Sequence, residues 1–108
     1  MRTMSKSSII TESEWLHNPH AGELLVSEFM EPLALDVATL AEAIAVEPSR
    51  LEAVINGAVR IDGELDLRLA RYFRMSEGFF LRLHDQYDIR EAKRALNGDL
   101  DRIVPRAA

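Results

Sequence analysis

Short amphipathic segments, each bounded by a capping or helix-breaking residue, follow one another along the sequence and constrain its fold. Apolar residues recur at intervals of three and four, the spacing of one helix face, and no segment alternates with the period of two that a strand requires. The segments predict helices at residues 21–30, 36–44, 48–56, 62–73 and 76–96. The sequence therefore predicts an all-α domain of five helices with short connections and a short C-terminal helical extension.

Polar and conformationally special residues mark the predicted helix ends. Short side chains that accept hydrogen bonds from the free N–H groups of a first helical turn are the predicted N-caps: Asp36, Asp62 and Ser76. Pro48 suits the first position of the third helix, which Gly57 ends. The stretch from Arg90 to Val104 is amphipathic, through Ala92, Leu96, Leu100 and Ile103. Our default expectation is that it packs back on the bundle, and the alternative is a surface for a second copy or another protein.

The length and charge of the chain limit its organisation and its partners. The 108 residues are enough for one hydrophobic core and too few for two. The predicted domain spans 19–96, with a helix-turn-helix at 36–57, between a mobile segment at 1–18 and a C-terminal tail at 97–108. The net charge of −5 argues against binding nucleic acid through bulk positive charge, but not through a few well-placed arginines.

Several classes of function find no support in the sequence. It has no cysteine, no glycine-rich phosphate loop, no nucleophile elbow and no apolar run long enough to cross a membrane. The three histidines, His17, His20 and His84, lack the spacing of metal ligands, so we expect solvated or capping roles for them. We therefore expect neither an enzyme nor a cofactor, no membrane partner, and a protein of the cytoplasm.

The third predicted helix has two chemically different faces, separated by the helical rotation of about 100° per residue. One face is apolar and would pack on the bundle: Leu51, Val54 and Ile55. The opposite face is small or polar: Ser49, Ala53 and Asn56. Arg50 and Glu52 flank this second face. A small polar face allows a helix to approach base edges, whereas the alternative is a surface helix whose charges only keep the protein soluble.

The side chains of the polar face and its flanks have definite partners in a DNA groove. Asn56 can pair with adenine through two hydrogen bonds, and Ala53 can contact a thymine methyl group. Arg50 can donate to guanine or to a phosphate. Glu52 only accepts hydrogen bonds, so its useful base partner is the amino group of cytosine.

Five pieces of the sequence, in unbroken order between residues 19 and 90, are typical of one family. They are "HAGE" at 20–23, "EFMEPLAL" at 28–35, "VING" at 54–57, "LRLARYF" at 67–73 and "FFLRLHDQYDIR" at 79–90. With them the chain resembles the HigA-type antitoxins, a branch of the lambda-repressor-like (XRE) helix-turn-helix proteins.

The resemblance implies a small homodimeric protein encoded beside a toxin, usually a ribosome-dependent mRNA endonuclease, which the antitoxin binds and silences. It also implies that the protein represses its own operon by binding palindromic double-stranded DNA in the major groove. The alternatives are a stand-alone transcriptional regulator and a degenerate helix-turn-helix that acts mainly as a protein-binding module. Carried onto this chain, the reading helix is 48–56, and the expected DNA contacts are Thr39, Ser49, Arg50, Glu52, Ala53, Asn56 and Arg60.

The chain departs from the family pattern at positions that affect phosphate contacts and helix ends. Asp36 and Val37 stand where relatives commonly have serine and glutamine, so an amide donor is lost. Ala58 and Val59 stand where relatives often have lysine and arginine, which leaves Arg60 as the nearest cation. Three family glycines at helix ends are replaced by Ala34, Ala45 and Arg74. If the left-handed turns persist there, each replacement costs about 1 kcal/mol.

Overall fold

Residues 18–107 are described by a computed structural model of the chain. Its helices are α1 (Ala21–Leu24, extended by a π-helical segment, Leu25–Met30), α2 (Val37–Ile44), α3 (Pro48–Ile55), α4 (Gly63–Phe73) and α5 (Phe79–Leu96), followed by a 3-10 turn, Asp99–Arg102. Because the described residues contain no strand, the predicted all-α fold of five helices with a helical extension is confirmed. His17 and the predicted N-terminal segment, apart from Asn18, lie outside the described residues.

The first helix has the predicted bounds but changes its geometry part-way. The N–H of Glu31 donates to the carbonyl of Val26 at 2.9 Å, five residues back, as in a π-helix. This pattern brings residues five apart towards one side, and the buried side chains of the segment, Leu25 and Met30, have that spacing. Apolar residues at intervals of three and four predict a helix here, but this pattern does not distinguish an α-helix from a π-helix.

The hydrophobic core is centred on Phe80, the buried residue near the start of α5. Its side chain is 0% exposed, as are those of Leu40 in α2 and Leu51 in α3. The rings of Phe29 and Phe79 lie 5.1 and 5.0 Å from the Phe80 ring, measured between centroids, in tilted and edge-on orientations. One aromatic cluster thus joins the first helix to the last, and the helix-turn-helix packs on the same core.

The N-terminus of α5 is capped from another helix, which corrects the predicted cap at Ser76. The carboxylate of Asp66 in α4 accepts hydrogen bonds from the N–H groups of Gly78, Phe80 and Leu81 at 2.7, 2.8 and 3.1 Å. Asp66 is 1% exposed, so these bonds are made inside the protein. Ser76 instead accepts a hydrogen bond from Arg82. The true cap is twelve residues upstream of Gly78, too far for a local capping rule to find it.

Besides Asn97, which ends α5, three described residues other than glycine end helices or turns in the left-handed conformation. Ala34, Ala45 and Arg74 have φ angles of 55°, 60° and 61°. These are the positions at which the family resemblance implies glycine, and the left-handed turns are present with other residues there. Because a Cβ atom strains this conformation, the fold carries about 1 kcal/mol of avoidable cost at each position.

The C-terminal part of the chain leaves a row of apolar side chains in solvent. We call it the C-terminal apolar strip; its members are Ile89, Leu96, Leu100, Ile103 and Val104, with exposed fractions of 53%, 37%, 48%, 66% and 84%. The expectation that residues 90–104 pack back on the bundle is therefore wrong, because the large apolar side chains of this stretch stay exposed. Within 18–107, no helix combines the length and apolarity needed to cross a membrane.

Substituting the buried cap should destabilise the whole domain. Asp66→Ala leaves three N–H groups at the start of α5 without their acceptor, so we expect the free energy of unfolding to fall by roughly 3–5 kcal/mol. Asp88→Ala, which removes an exposed carboxylate from the same helix, should change it by less than about 0.5 kcal/mol. Urea denaturation followed by circular dichroism measures both. Equal stabilities of the two variants would contradict the assigned role of Asp66.

The same substitution at two alanines should have opposite effects on stability. Ala45→Gly relieves a left-handed residue and should raise the free energy of unfolding by about 0.5–1 kcal/mol. Ala43→Gly, inside α2, should lower it by about 1 kcal/mol because glycine is a poor helix former. Thermal denaturation of both variants checks the prediction. A loss of stability in Ala45→Gly would show that no strain is stored at that turn.

Candidate nucleic-acid interface

Helices α2 and α3 form a helix-turn-helix within the predicted range of 36–57. The carboxylate of Asp36 accepts a hydrogen bond from the N–H of Thr39 at 2.8 Å and caps α2, as predicted. The left-handed Ala45 ends α2, and the N–H of Val46 closes the turn by donating to the carbonyl of Ala41 at 2.9 Å. Pro48 occupies the start of α3, as the sequence predicts.

The two faces of α3 lie where the sequence places them. Leu51 and Val54 are 0% and 2% exposed and hold the helix on the core, with Ile55 half-buried beside them. Ser49, Glu52 and Asn56 are exposed, and Ala53 is half-buried. The structure therefore brings the predicted small polar residues together on one outward surface of a firmly packed helix.

Gly22 allows α1 to pack against the end of α3. A Cβ atom at this position would collide with the carbonyl oxygen of Val54. The neighbouring His20 caps α1, because its Nδ1 accepts a hydrogen bond from the N–H of Gly22 at 3.0 Å. This capping role is one of the two expected for the histidines. The motif "HAGE" thus sets how closely α1 packs against α3.

Arg50 is held by two carboxylates from the start of α4. Its Nη2 donates to both carboxylate oxygens of Asp62, at 3.1 and 3.2 Å, and its Nη1 lies 3.6 Å from the Glu64 carboxylate. Glu64 also accepts from Arg68 at 3.0 Å, and Arg68 donates to the carbonyl of Ile44 at the end of α2. We call Arg50, Asp62, Glu64 and Arg68 the carboxylate network; it connects α2, α3 and α4.

Sequence reasoning assigned only part of this network. Asp62 was predicted as the cap of α4, and it does accept from the N–H of Leu65 at 2.9 Å. Its second role, as the partner of Arg50, depends on how α3 and α4 pack and has no local signal. The Glu64–Arg68 pair has the i, i+4 spacing of a helical ion pair and could have been recognised.

The other two predicted contacts outside the outer face of α3 also have acidic neighbours. Arg60 is 57% exposed, and its Nη2 lies 3.8 Å from the carboxylate of Asp85 in α5. Hydrogen bonds from the backbone N–H and then the side chain of Thr39 hold the pKa of the Asp36 carboxyl below its usual range. Thr39 therefore lies beside an anion in the free protein.

Among residues 18–107, no three His, Asp or Glu side chains converge in a way that would hold a metal ion. His20 and His84 line a shallow crevice of about 80 Å³ together with Arg60 and Tyr87. The polar groups of the helix-turn-helix are thus arranged on an open surface and not around an enclosed pocket. Such a surface suits contact with a large partner.

No protein-family model matches the chain. Virulence-associated protein I of Dichelobacter nodosus is 34% identical over 74 residues, which make up 68% of this chain and 68% of that protein. An addiction-module antidote protein of the HigA family from Coxiella burnetii is 31% identical, and its structure superposes with a TM-score of 0.72 over 83% of this chain and 98% of that one.

The chain belongs to the HigA family of addiction-module antidote proteins. Relatives solved with DNA share its fold. The Pseudomonas aeruginosa antitoxin HigA with the higBA promoter is 25% identical, with a TM-score of 0.70 over 84% of this chain and 99% of that one. A Pseudomonas aeruginosa protein in complex with its 18-base-pair operator DNA is 28% identical, with a TM-score of 0.76 over 83% and 96%. The family is one of antidote proteins and not of enzymes.

The helix-turn-helix region of this HigA-family chain is acidic. Between residues 36 and 64 it carries six carboxylates: Asp36, Glu42, Glu47, Glu52, Asp62 and Glu64. It carries two arginines in the same range, Arg50 and Arg60, and both lie beside carboxylates. Val59, which follows α3 in the same range, is exposed and apolar. Any anionic partner therefore meets few unpaired positive charges here.

Proposed function

We propose that this chain is a cytoplasmic antitoxin that binds the operator of its own operon through the major groove and represses it. The observation that carries the proposal is the outward, small polar face of α3, held on the core by Leu51 and Val54. The DNA-bound relatives of the same fold support it. The proposed contacts are Thr39, Ser49, Arg50, Glu52, Ala53, Asn56 and Arg60.

The charges of the region make the proposed DNA binding depend on groove contacts more than on phosphate contacts. Six carboxylates against two arginines between residues 36 and 64 repel the DNA backbone. A surface of this kind retains little affinity for unrelated DNA, because non-specific binding is supplied by phosphate neutralisation. Specificity therefore comes from the base edges that Ser49, Ala53 and Asn56 reach.

A homodimer supplies the affinity that one such helix lacks. Two reading helices about 34 Å apart enter successive major grooves of a palindromic site. The C-terminal apolar strip provides an uncovered surface for a second copy, with Ile103 and Val104 66% and 84% exposed.

The proposed second partner is a toxin of the ribonuclease type. An RNA-cleaving protein has a basic substrate surface, and the acidic helix-turn-helix region would complement it. The acidic charge of this region also favours a second candidate function, a protein-binding module that keeps the fold but no longer binds DNA. The two candidates differ in one outcome, which is binding to the operon's own promoter.

Binding to the promoter is tested by a mobility shift with the fragment upstream of the protein's own gene. We expect retardation at submicromolar protein in low salt, with two chains per fragment by sedimentation. Ser49→Glu places an acid on the outer face, near a helix N-terminus that tolerates it, and should weaken binding more than tenfold. Ser27→Glu, at another exposed serine, should change it less than twofold. No retardation by the wild-type protein would overturn the repressor role.

Neutralisation is tested by expressing the small reading frame next to the gene, alone and with this chain. We expect growth arrest by that frame alone, rescue by this chain, and recovery of both proteins as one complex. Ser49→Glu should rescue growth as well as the wild type if the toxin and DNA surfaces differ. The absence of both toxicity and a complex would contradict the antitoxin role and leave a stand-alone regulator of the same fold.

A further inference from the structure

The guanidinium of Arg50 lies beside two carboxylates, those of Asp62 and Glu64. We infer that Arg50 reads the edge of a guanine base, and that Asp62 and Glu64 are the positioning residues that orient it. The inference rests on the proposed DNA binding, and it chooses between the two partners that the sequence left open for this side chain, guanine and phosphate.

The charges around the guanidinium favour a neutral partner. Asp62 and Glu64 both lie within 4 Å of it, with side chains 60% and 58% exposed. One cation therefore already faces two anions. A phosphate that reached Arg50 would also approach both carboxylates and be repelled by them. The edge of a guanine carries no net charge and offers two acceptors, O6 and N7.

The hydrogen bonds of Arg50 leave donors available for such an edge. Asp62 engages only Nη2. The Nε–H group donates to no acceptor within the described part of the chain, and Nη1 has only the longer ion pair with Glu64, at 3.6 Å. A guanidinium presents five N–H donors in a rigid plane, so fixing one nitrogen orients the remaining donors. Arg50 is also only 33% exposed, which limits the directions in which its side chain can point.

Both positioning residues are themselves held in place. The Oδ1 atom of Asp62 accepts from the N–H of Leu65 at 2.9 Å, so the carboxylate is fixed at the first turn of α4. Glu64 is held by Nε and Nη2 of Arg68, at 3.2 and 3.0 Å, and Arg68 is anchored on the carbonyl of Ile44. An exposed ion pair alone is weak and mobile. Here each carboxylate has a second partner that keeps its position.

The first test measures how Arg50→Ala changes binding to the promoter fragment and its dependence on salt. If Arg50 reads guanine, specific affinity falls roughly ten- to hundredfold, while the slope of log K against log salt stays within error of the wild type. If Arg50 contacts a phosphate, the slope flattens by about 0.9 per chain. The second result overturns the inference.

The second test replaces each guanine of the bound fragment, one at a time, by 7-deazaguanine, which lacks the N7 acceptor. We expect at least one position where the replacement weakens wild-type binding severalfold and leaves Arg50→Ala binding unchanged. Equal losses for both proteins at every sensitive guanine would overturn the inference. The comparison isolates the contact of Arg50, because every other contact is the same in the two proteins.

The positioning role is tested with Asp62→Asn. Because asparagine also caps helices, the midpoint of thermal unfolding should stay close to that of the wild type. A purely structural role of Asp62 predicts the same midpoint, so the deciding readout is DNA binding. Release of Arg50 should lower specific affinity severalfold and steepen the salt slope, because the freed cation then meets phosphates. Glu64→Gln should act in the same direction and leaves the α4 cap untouched.

The control for charge is Asp88→Asn, which neutralises an exposed carboxylate on α5. It should change specific affinity less than twofold and leave the sensitivity to 7-deazaguanine intact. Higher specific affinity in Asp62→Asn would show that the carboxylate only repels DNA and would overturn its positioning role. If the wild-type protein does not retard the promoter at all, the proposed function fails. If the wild-type protein retards the promoter but the variants do not behave as expected, the roles given to Arg50, Asp62 and Glu64 are wrong and the proposed function stands.

Discussion

The carboxylate of Asp66 is the interaction on which the arrangement of the helices depends. It belongs to α4, is 1% exposed and accepts three N–H groups at the start of α5. A buried carboxylate is costly unless its charge is balanced, and here the free N–H groups and the positive end of the helix dipole balance it. Because one of these N–H groups belongs to Phe80, the hydrogen bonds to Asp66 also fix the position of the central ring of the core. The helix-turn-helix packs on that core.

The sequence was sufficient wherever a structural signal is local. The helix-turn-helix range, the caps at Asp36 and Asp62 and the two faces of α3 follow from short polar side chains and from helical periodicity. The sequence was insufficient where a hydrogen-bond or ion-pair partner lies far away along the chain. Ser76 has the chemistry of a cap, but Asp66 reaches the same N–H groups from α4. The partnership of Arg50 with Asp62 and Glu64 likewise depends on the packing of α3 against α4.

The residues of the reading surface separate two tasks that many DNA-binding proteins combine. Ser49, Ala53 and Asn56 offer close approach to base edges, whereas the cations that hold phosphates are few. In the proposed function this balance makes the protein selective and weakly attached, so its occupancy depends on dimer formation. The fold also tolerates local backbone strain at Ala34, Ala45 and Arg74. The packed core and the Asp66 cap offset the free-energy cost of these left-handed residues.

The central claim is that an acidic helix-turn-helix region binds its operator with few phosphate contacts. The most direct measurement is the affinity of the wild-type protein for its own promoter fragment, by fluorescence anisotropy, over a range of salt from about 50 to 200 mM. The claim predicts a slope of log K against log salt of about −2, from the Arg60 side chains of two chains, and no steeper than about −4. A slope of about −6 or steeper would contradict it.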